Sequence, residues 1–403
     1  MKCLIFLLIF LILFVPSLSQ QTWQETALAI NVEVPVRVFN NGTFVGHLTI
    51  EDFEIYEDNV PQTIEAIYLI KKERVLRKDE IKAYKPQTTR NFFLILEVNS
   101  YSPKLQDAME YFIHKIYIPG DDLVVATPMK TYRLKEEAKK GKSREDILKE
   151  LKSMIRPDAI AGITEFRTLT QEFESLSKEM KNDIDVRLGR QPGDFNAGIA
   201  EQRIAQYASL LSQLQTFRQI DELRLFDLAK YLKTQDGQNY VFIFYEKKYI
   251  PQVDPTLLQQ YMGLFFENSY IEQTITDLLD YNKQENILNV KRATQAFADA
   301  STAVHFLHIS TSQEDLPGVH FEEYGQDTFN ILLETSKATG GISESSTNPD
   351  YMFKQAVNAS ENYYLLYYTP KNYAADGNFK RIEVKVKGDN KYEVKHRLGY
   401  FAD

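Results

Sequence analysis

Within residues 29–72 apolar residues recur at every second position. Val32, Val34, Val36 and Val38 alternate with Glu33, Pro35 and Arg37, a period that places the valines on one face of a strand and polar or edge-compatible residues on the other. Asn41-Gly42 supplies the positive backbone angles of a tight hairpin turn. Strand-like runs follow at 53–56 and 63–70, separated by Glu57-Asp58-Asn59-Val60-Pro61, whose Asp, Asn and Pro favour a turn. The charged residues 71–85 read as a linker. The period then changes. Phe92-Phe93-Leu94-Ile95-Leu96 is a continuous apolar run, the mark of a strand covered on both faces, and 105–116 has helical spacing behind Pro103.

Further buried strands are expected at 122–126, 239–244 and 303–309, with helical segments between them. Such alternation predicts a mostly parallel sheet flanked by helices, with ligands bound where loops leave the carboxyl ends of its strands. Residues 165–181 and 198–233 are Gln- and Leu-rich and helical, broken by Gly189-Arg190-Gln191-Pro192-Gly193. They predict a helical hairpin at about 165–233, with Leu210, Leu211, Leu214, Phe217 and Leu225 as an apolar stripe packed within the chain. Gly340-Gly341 ends a helix and admits a tight turn. The β pattern then returns at 363–369, 379–386 and 392–397, with Asp376-Gly377 as a hairpin turn.

Four strands at one end and three at the other each lack a second layer. Joined, they make a seven-strand sandwich of immunoglobulin-like size with the α/β domain inserted between them. The alternative makes the C-terminal strands an edge of the central sheet. The expected organisation is 1–19 signal peptide, 20–73 N-terminal strands, 74–90 linker, 91–362 α/β domain and 363–403 C-terminal strands.

Lys2, an apolar core from Leu4 to Val15, and Ser17 and Ser19 around Leu18 have the order of a cleavable secretory signal. The core is too short for a membrane span, which needs about twenty residues, so export by cleavage after Ser19 is expected. An uncleaved anchor is the alternative. The single cysteine, Cys3, leaves with the signal, and with it any disulfide, thiol nucleophile or thiolate ligand. Hydrophobic residues make up 43% of the chain, with 25 Phe and 24 Tyr, enough for an ordinary core. Losing Lys2 takes the formal net charge from -9 to about -10, without a basic cluster, which argues against nucleic acid as a partner.

Two stretches resemble a known family. Val34-Pro35-Val36-Arg37-Val38 with the run from Gly46 to Gln62 forms the first. Tyr363-Tyr364-Leu365-Leu366-Tyr367-Tyr368-Thr369-Pro370, Asp376-Gly377, Ile382-Glu383-Val384-Lys385-Val386 and Arg397-Leu398-Gly399-Tyr400 form the second. In order and spacing they are similar to the von Willebrand factor type A-related family of the acidobacterial type. The resemblance covers most of the mature chain and is weakest between residues 165 and 233. It implies a Rossmann-type von Willebrand A-like domain with a metal-ion-dependent adhesion site: an Asp-x-Ser-x-Ser run, a loop Thr and a further Asp. In such a site hydroxyls and carboxylates hold a hard cation, Mg2+ or Ca2+, whose shell a ligand carboxylate completes.

Here the first run reads Glu97-Val98-Asn99-Ser100-Tyr101, so Glu97, Asn99 and Tyr101 replace the expected Asp and hydroxyls. Thr164, in Ala161-Gly162-Ile163-Thr164, takes the place of the loop Thr. Tyr245 takes the last Asp, followed by Glu246 and then by Lys247 and Lys248, which repel a cation. The site reads as degenerate and no cofactor is expected. His305 and His308 lie on opposite faces of their strand, which argues against zinc. Asp121-Asp122 and Glu136-Glu137 read as solvated charges. The chain is expected to be an exported, non-catalytic protein-interaction or scaffold protein of the periplasm, cell envelope or secreted space, with a protein partner. A metal-dependent adhesin with a variant site and a hydrolase with an unrecognised site are the alternatives.

Overall fold

The computed structural model describes residues 30–98, 101–190, 196–216, 222–246, 248–281, 289–310, 319–324, 326–388 and 391–403. The expected signal lies outside them. The architecture is mixed α/β, with a β-rich N-terminal region.

The N-terminal strands are β1 (Val32–Asn40), β2 (Thr43–Phe44), β3 (Phe53–Glu57), β4 (Val60–Gln62), β5 (Ile64–Lys71) and β6 (Arg74–Glu80), and the C-terminal ones are β15 (Asn362–Tyr368), β16 (Phe379–Val386), β17 (Glu393–His396) and β18 (Gly399–Phe401). They form two sheets, β17-β1-β15-β5-β6 with β2 on β1, and β18-β16-β3-β4. β1 runs antiparallel to both β15 (Val34 opposite Leu366) and β17 (Val38 opposite Val394). Val32, Val34, Val36 and Val38 share one core with Phe53, Ile55, Ile382 and Val384, and Val394 packs against it. The two ends of the described chain therefore enclose a common interior.

The stretch expected as a linker contains β6, paired with β5 as the edge of its sheet. Its Arg and Lys residues suit an edge strand, where charge discourages further pairing.

A third sheet has the order β14-β12-β10-β7-β8-β9. β7 (Arg90–Glu97), β8 (Asp122–Ala126), β10 (Gln238–Glu246), β12 (Thr302–Ile309) and β14 (Ser343–Ser346) are parallel, and β9 (Thr131–Arg133) is an antiparallel edge. Every residue of β10 is buried because helices cover both faces. On one side lie α1 (Pro103–Tyr111), the first half of α3 (Arg144–Arg187) and α10 (Pro349–Ser360). On the other lie α5 (Glu222–Lys233), α8 (Val290–Asp299) and α9 (Gln326–Ala338). A short helix, α2 (Glu136–Gly141), precedes α3. None of the described helices is long and apolar enough to cross a membrane.

The helical insertion differs from the expected hairpin. α3 is 44 residues long, starts well before residue 165 and continues through Pro157, which removes one backbone donor. Its second half forms a separate core with α4 (Ala197–Thr216), α6 (Pro255–Leu264) and α7 (Ser269–Tyr281). This unit therefore draws on two excursions, one before β10 and one after it. β11 (Lys248–Val253) pairs antiparallel with β13 (Val319–Tyr324), joining the excursions that follow β10 and β12. Of the apolar stripe, Leu210 and Leu211 lie in the helical core, whereas Leu225 packs on the sheet through α5. The side chains of Leu214 and Phe217 are outside the described residues.

Ile382 is 1% exposed between the two β layers, and truncation there leaves a cavity. Ile382→Ala is expected to lower the unfolding free energy by about 2–5 kcal/mol, and Thr164→Ala, on an exposed helix face, by less than about 0.5 kcal/mol. Urea unfolding of the two variants checks both.

Candidate functional site

In a parallel sheet, residues in register on neighbouring strands point to the same face. At the carboxyl edge this rule builds a polar row. Tyr245 on β10 stands between Glu97 on β7 and His308 on β12, and His308 stands beside Ser345 on β14. The row occupies the face covered by α5, α8 and α9, where Ile243, Val304 and Phe306 precede it.

Tyr245 and His308 are each 7% exposed, and Ser345 is open to solvent. His308 Nδ1 lies 2.8 Å from Ser345 Oγ, which is 3.3 Å from Ser310 Oγ. Phe329 meets the imidazole edge-on with centroids 5.0 Å apart, and the Tyr245 ring is 6.3 Å away. The row thus offers a phenol, an imidazole and a hydroxyl, with Glu97 half-buried at one end.

Of the residues singled out from sequence, Glu97 and Tyr245 come together at this edge, whereas Glu246, buried at the end of β10, belongs to the opposite face of the strand. Asn99 lies outside the described residues. Tyr101 is partly buried just before α1 and packs on the core of that face. Burial, and then the nearby Glu110 carboxylate, push its phenol up to about 12.

Thr164 is not on a loop. It sits inside α3, exposed, and its Oγ1 donates to the Ile160 carbonyl at 2.9 Å. Arg156, the helix residue whose charge reaches Tyr101, lies eight positions earlier, about 12 Å along the axis. The resemblance of Ala161-Gly162-Ile163-Thr164 assigned Thr164 to a loop, whereas the helix that contains it begins twenty residues earlier, at Arg144. Among the described residues, no three His, Cys, Asp or Glu side chains gather as a metal site would require.

Two residues of the row had no role in the sequence reading. Ser345 belongs to Ser-Glu-Ser-Ser, which carries no apolar signal, and the spacing of His308 from His305 suggests nothing in the sequence beyond a zinc pair. The two histidines do face opposite ways. His305 is fully buried, stacks on Phe242 at 4.7 Å, and its Nδ1 accepts from the Ile342 backbone N–H at 3.2 Å. Ser360 Oγ donates to the Ala356 carbonyl, so the 2.9 Å contact with Nε2 has the imidazole as donor. Both ring nitrogens are satisfied by a neutral ring, which is a structural role.

Asp121 also differs from expectation. It is 2% exposed and accepts two bonds from Arg90, at 3.0 and 2.6 Å, while Arg90 also donates to the Ile116 carbonyl. The pair ties β7 to the turn before β8 and fixes the amino-terminal end of the sheet, opposite the row. Burial raises the Asp121 carboxyl, and the Arg90 charge opposes that rise.

No family model, curated protein or solved structure matches this chain.

Desolvation, with Arg37 and Lys395 nearby, holds His305 well below the usual imidazole range. A group lowered in the folded state leaves stability unchanged above about pH 6.5 and costs stability as the unfolded ring takes up a proton below it. Asp121 and Glu33, both raised, act in the opposite sense. The histidine's share is therefore read as a difference. His305→Asn is expected to lose less stability than wild type between pH 7 and pH 5, measured by urea unfolding at each pH.

Proposed function

We propose that this chain is an exported, non-catalytic protein-interaction or scaffold module that recognises its partner without a divalent cation. In this reading a von Willebrand A-like domain is set into an immunoglobulin-like sandwich. The parallel sheet between two helical layers, and the two β-layers with a shared core, support that architecture. Export, whether to the periplasm, the envelope or the medium, rests on the order of the first nineteen residues.

The observation that carries the reading is the position of Tyr245. A hard cation needs several oxygens converging on one point, with a coordination position left for the ligand. Tyr245 stands at the centre of the edge as a buried phenol, between Glu97 and His308. Thr164, which the resemblance assigns to the same centre, uses its hydroxyl within its own helix. Protein recognition suits an edge of this kind, where buried aromatic groups meet an exposed polar rim.

One observation favours a second reading. His308 and Ser345 make a hydroxyl-imidazole contact at the end of the sheet that usually carries ligands, the first two parts of a hydrolase. The non-catalytic reading expects Ser345 to stay unlabelled by a fluorophosphonate probe. Stoichiometric labelling lost in Ser345→Ala would favour the hydrolase.

Calorimetric titration of the mature chain with magnesium, manganese and calcium is expected to give no binding tighter than millimolar. A micromolar site abolished by Glu97→Ala or Thr164→Ala would make the metal-dependent adhesin the better reading.

A further inference from the structure

Away from the carboxyl-edge row, the far side of the sheet holds a cavity of about 200 Å3. Its floor is Leu123 and Val125 of β8, each 1% exposed, and its wall is Ile147, Leu151 and Met154 on the first turns of α3. Its roof is α2, none of whose residues is buried and which touches the space through Ala138. Lys139 bonds to Asp122 and Glu136, fastening the roof to β8. An apolar cavity of about 150 Å3 already holds a benzene ring, so this one has room for a small apolar group.

The mouth has a definite charge. Arg133, Lys135 and Lys142 line it, and Glu150 is the only acid among the lining residues. Lys142 pairs with Glu150. Arg133 pairs with Asp122 at 3.8 Å, a carboxylate that it shares with Lys139, and Lys135 makes no ion pair among the described residues. Three cations against one acid leave the rim of this apolar pocket positive, with Arg133 and Lys135 side by side along the chain segment that lines it.

We infer that this cavity binds a free, short- to medium-chain carboxylic acid, with the acyl chain between β8 and α3 and the carboxylate between Arg133 and Lys135. Burial of the chain supplies the affinity, and the two cations select an anionic head. The inference is independent of the partner proposed for the carboxyl edge.

The test is a calorimetric series on the full mature chain with butanoate, hexanoate, octanoate and dodecanoate, and with octanol. Affinity is expected to rise by about fourfold per added methylene while the chain still fits, as each buried methylene implies, and to stop rising by dodecanoate. Octanoate is expected to lose at least tenfold in the Arg133→Ala, Lys135→Ala double variant, whose changes lie on the surface, while octanol is unaffected. Met154→Trp is expected to fill the space and abolish binding, with circular dichroism confirming its fold. An affinity independent of chain length, or octanoate binding that survives both variants, would overturn the inference.

Discussion

The outer face of β1 is the constraint on which the rest depends. Its valines point into the β core, so Glu33, Pro35 and Arg37 point the other way, and there the amino-terminal edge of the parallel sheet covers them. Arg37 is 2% exposed, with its guanidinium 5.7 Å from the Tyr363 ring and 3.5 Å from the Gly340 carbonyl. Glu33 accepts from Tyr367 at 2.6 Å and from Gln238, at the start of β10, at 3.0 Å. Arg397 donates to the Glu33 carbonyl at 2.7 Å. Buried charges are tolerated only when bonded in this way, and losing one partner strands the other. Two units that each have their own core are therefore held in a defined arrangement by polar groups whose geometry leaves little freedom.

The two glycines after α9 make that closeness possible. Gly340 has φ +68°, and a Cβ on it would lie 2.9 Å from the His396 backbone. A Cβ on Gly341 would lie 1.8 Å from the Val304 carbonyl oxygen. The helix ends here as its sequence suggests. The glycines also let β17 and β12 approach the end of α9 closely, and the Leu398 N–H completes the joint by donating to the Ala338 carbonyl at 2.6 Å.

Much of this was legible because periodicity reports burial. The valines of β1 alternate, β10 and β12 are continuous apolar runs, and each formed the element that its period implies. What failed to register did so for physical reasons. β6 and β14 are edge strands with charged or hydroxyl side chains, so no apolar pattern marks them. Arg37 and Glu33 look like surface residues in one dimension, since nothing local reveals a partner hundreds of positions away or a face covered by another unit, and Asp121 looks the same because its partner Arg90 stands on a neighbouring strand, 31 positions earlier. Thr164 was assigned to a loop by resemblance alone, and a helix that runs on through Pro157 carries it in its interior instead. The carboxyl-edge row was half visible: Glu97 and Tyr245 follow apolar strands, but Ser345 joins them only through the register of an edge strand.

The central claim is that recognition at the carboxyl edge proceeds without a cation. It is tested most directly by capturing partners from cell extract on the immobilised chain, in parallel with chelator and with added magnesium and calcium. The account predicts the same captured protein under both conditions, and its loss when Ser345→Arg places a bulky cation at the exposed end of the row. Capture that requires the divalent cation, or that is indifferent to Ser345→Arg, would contradict it.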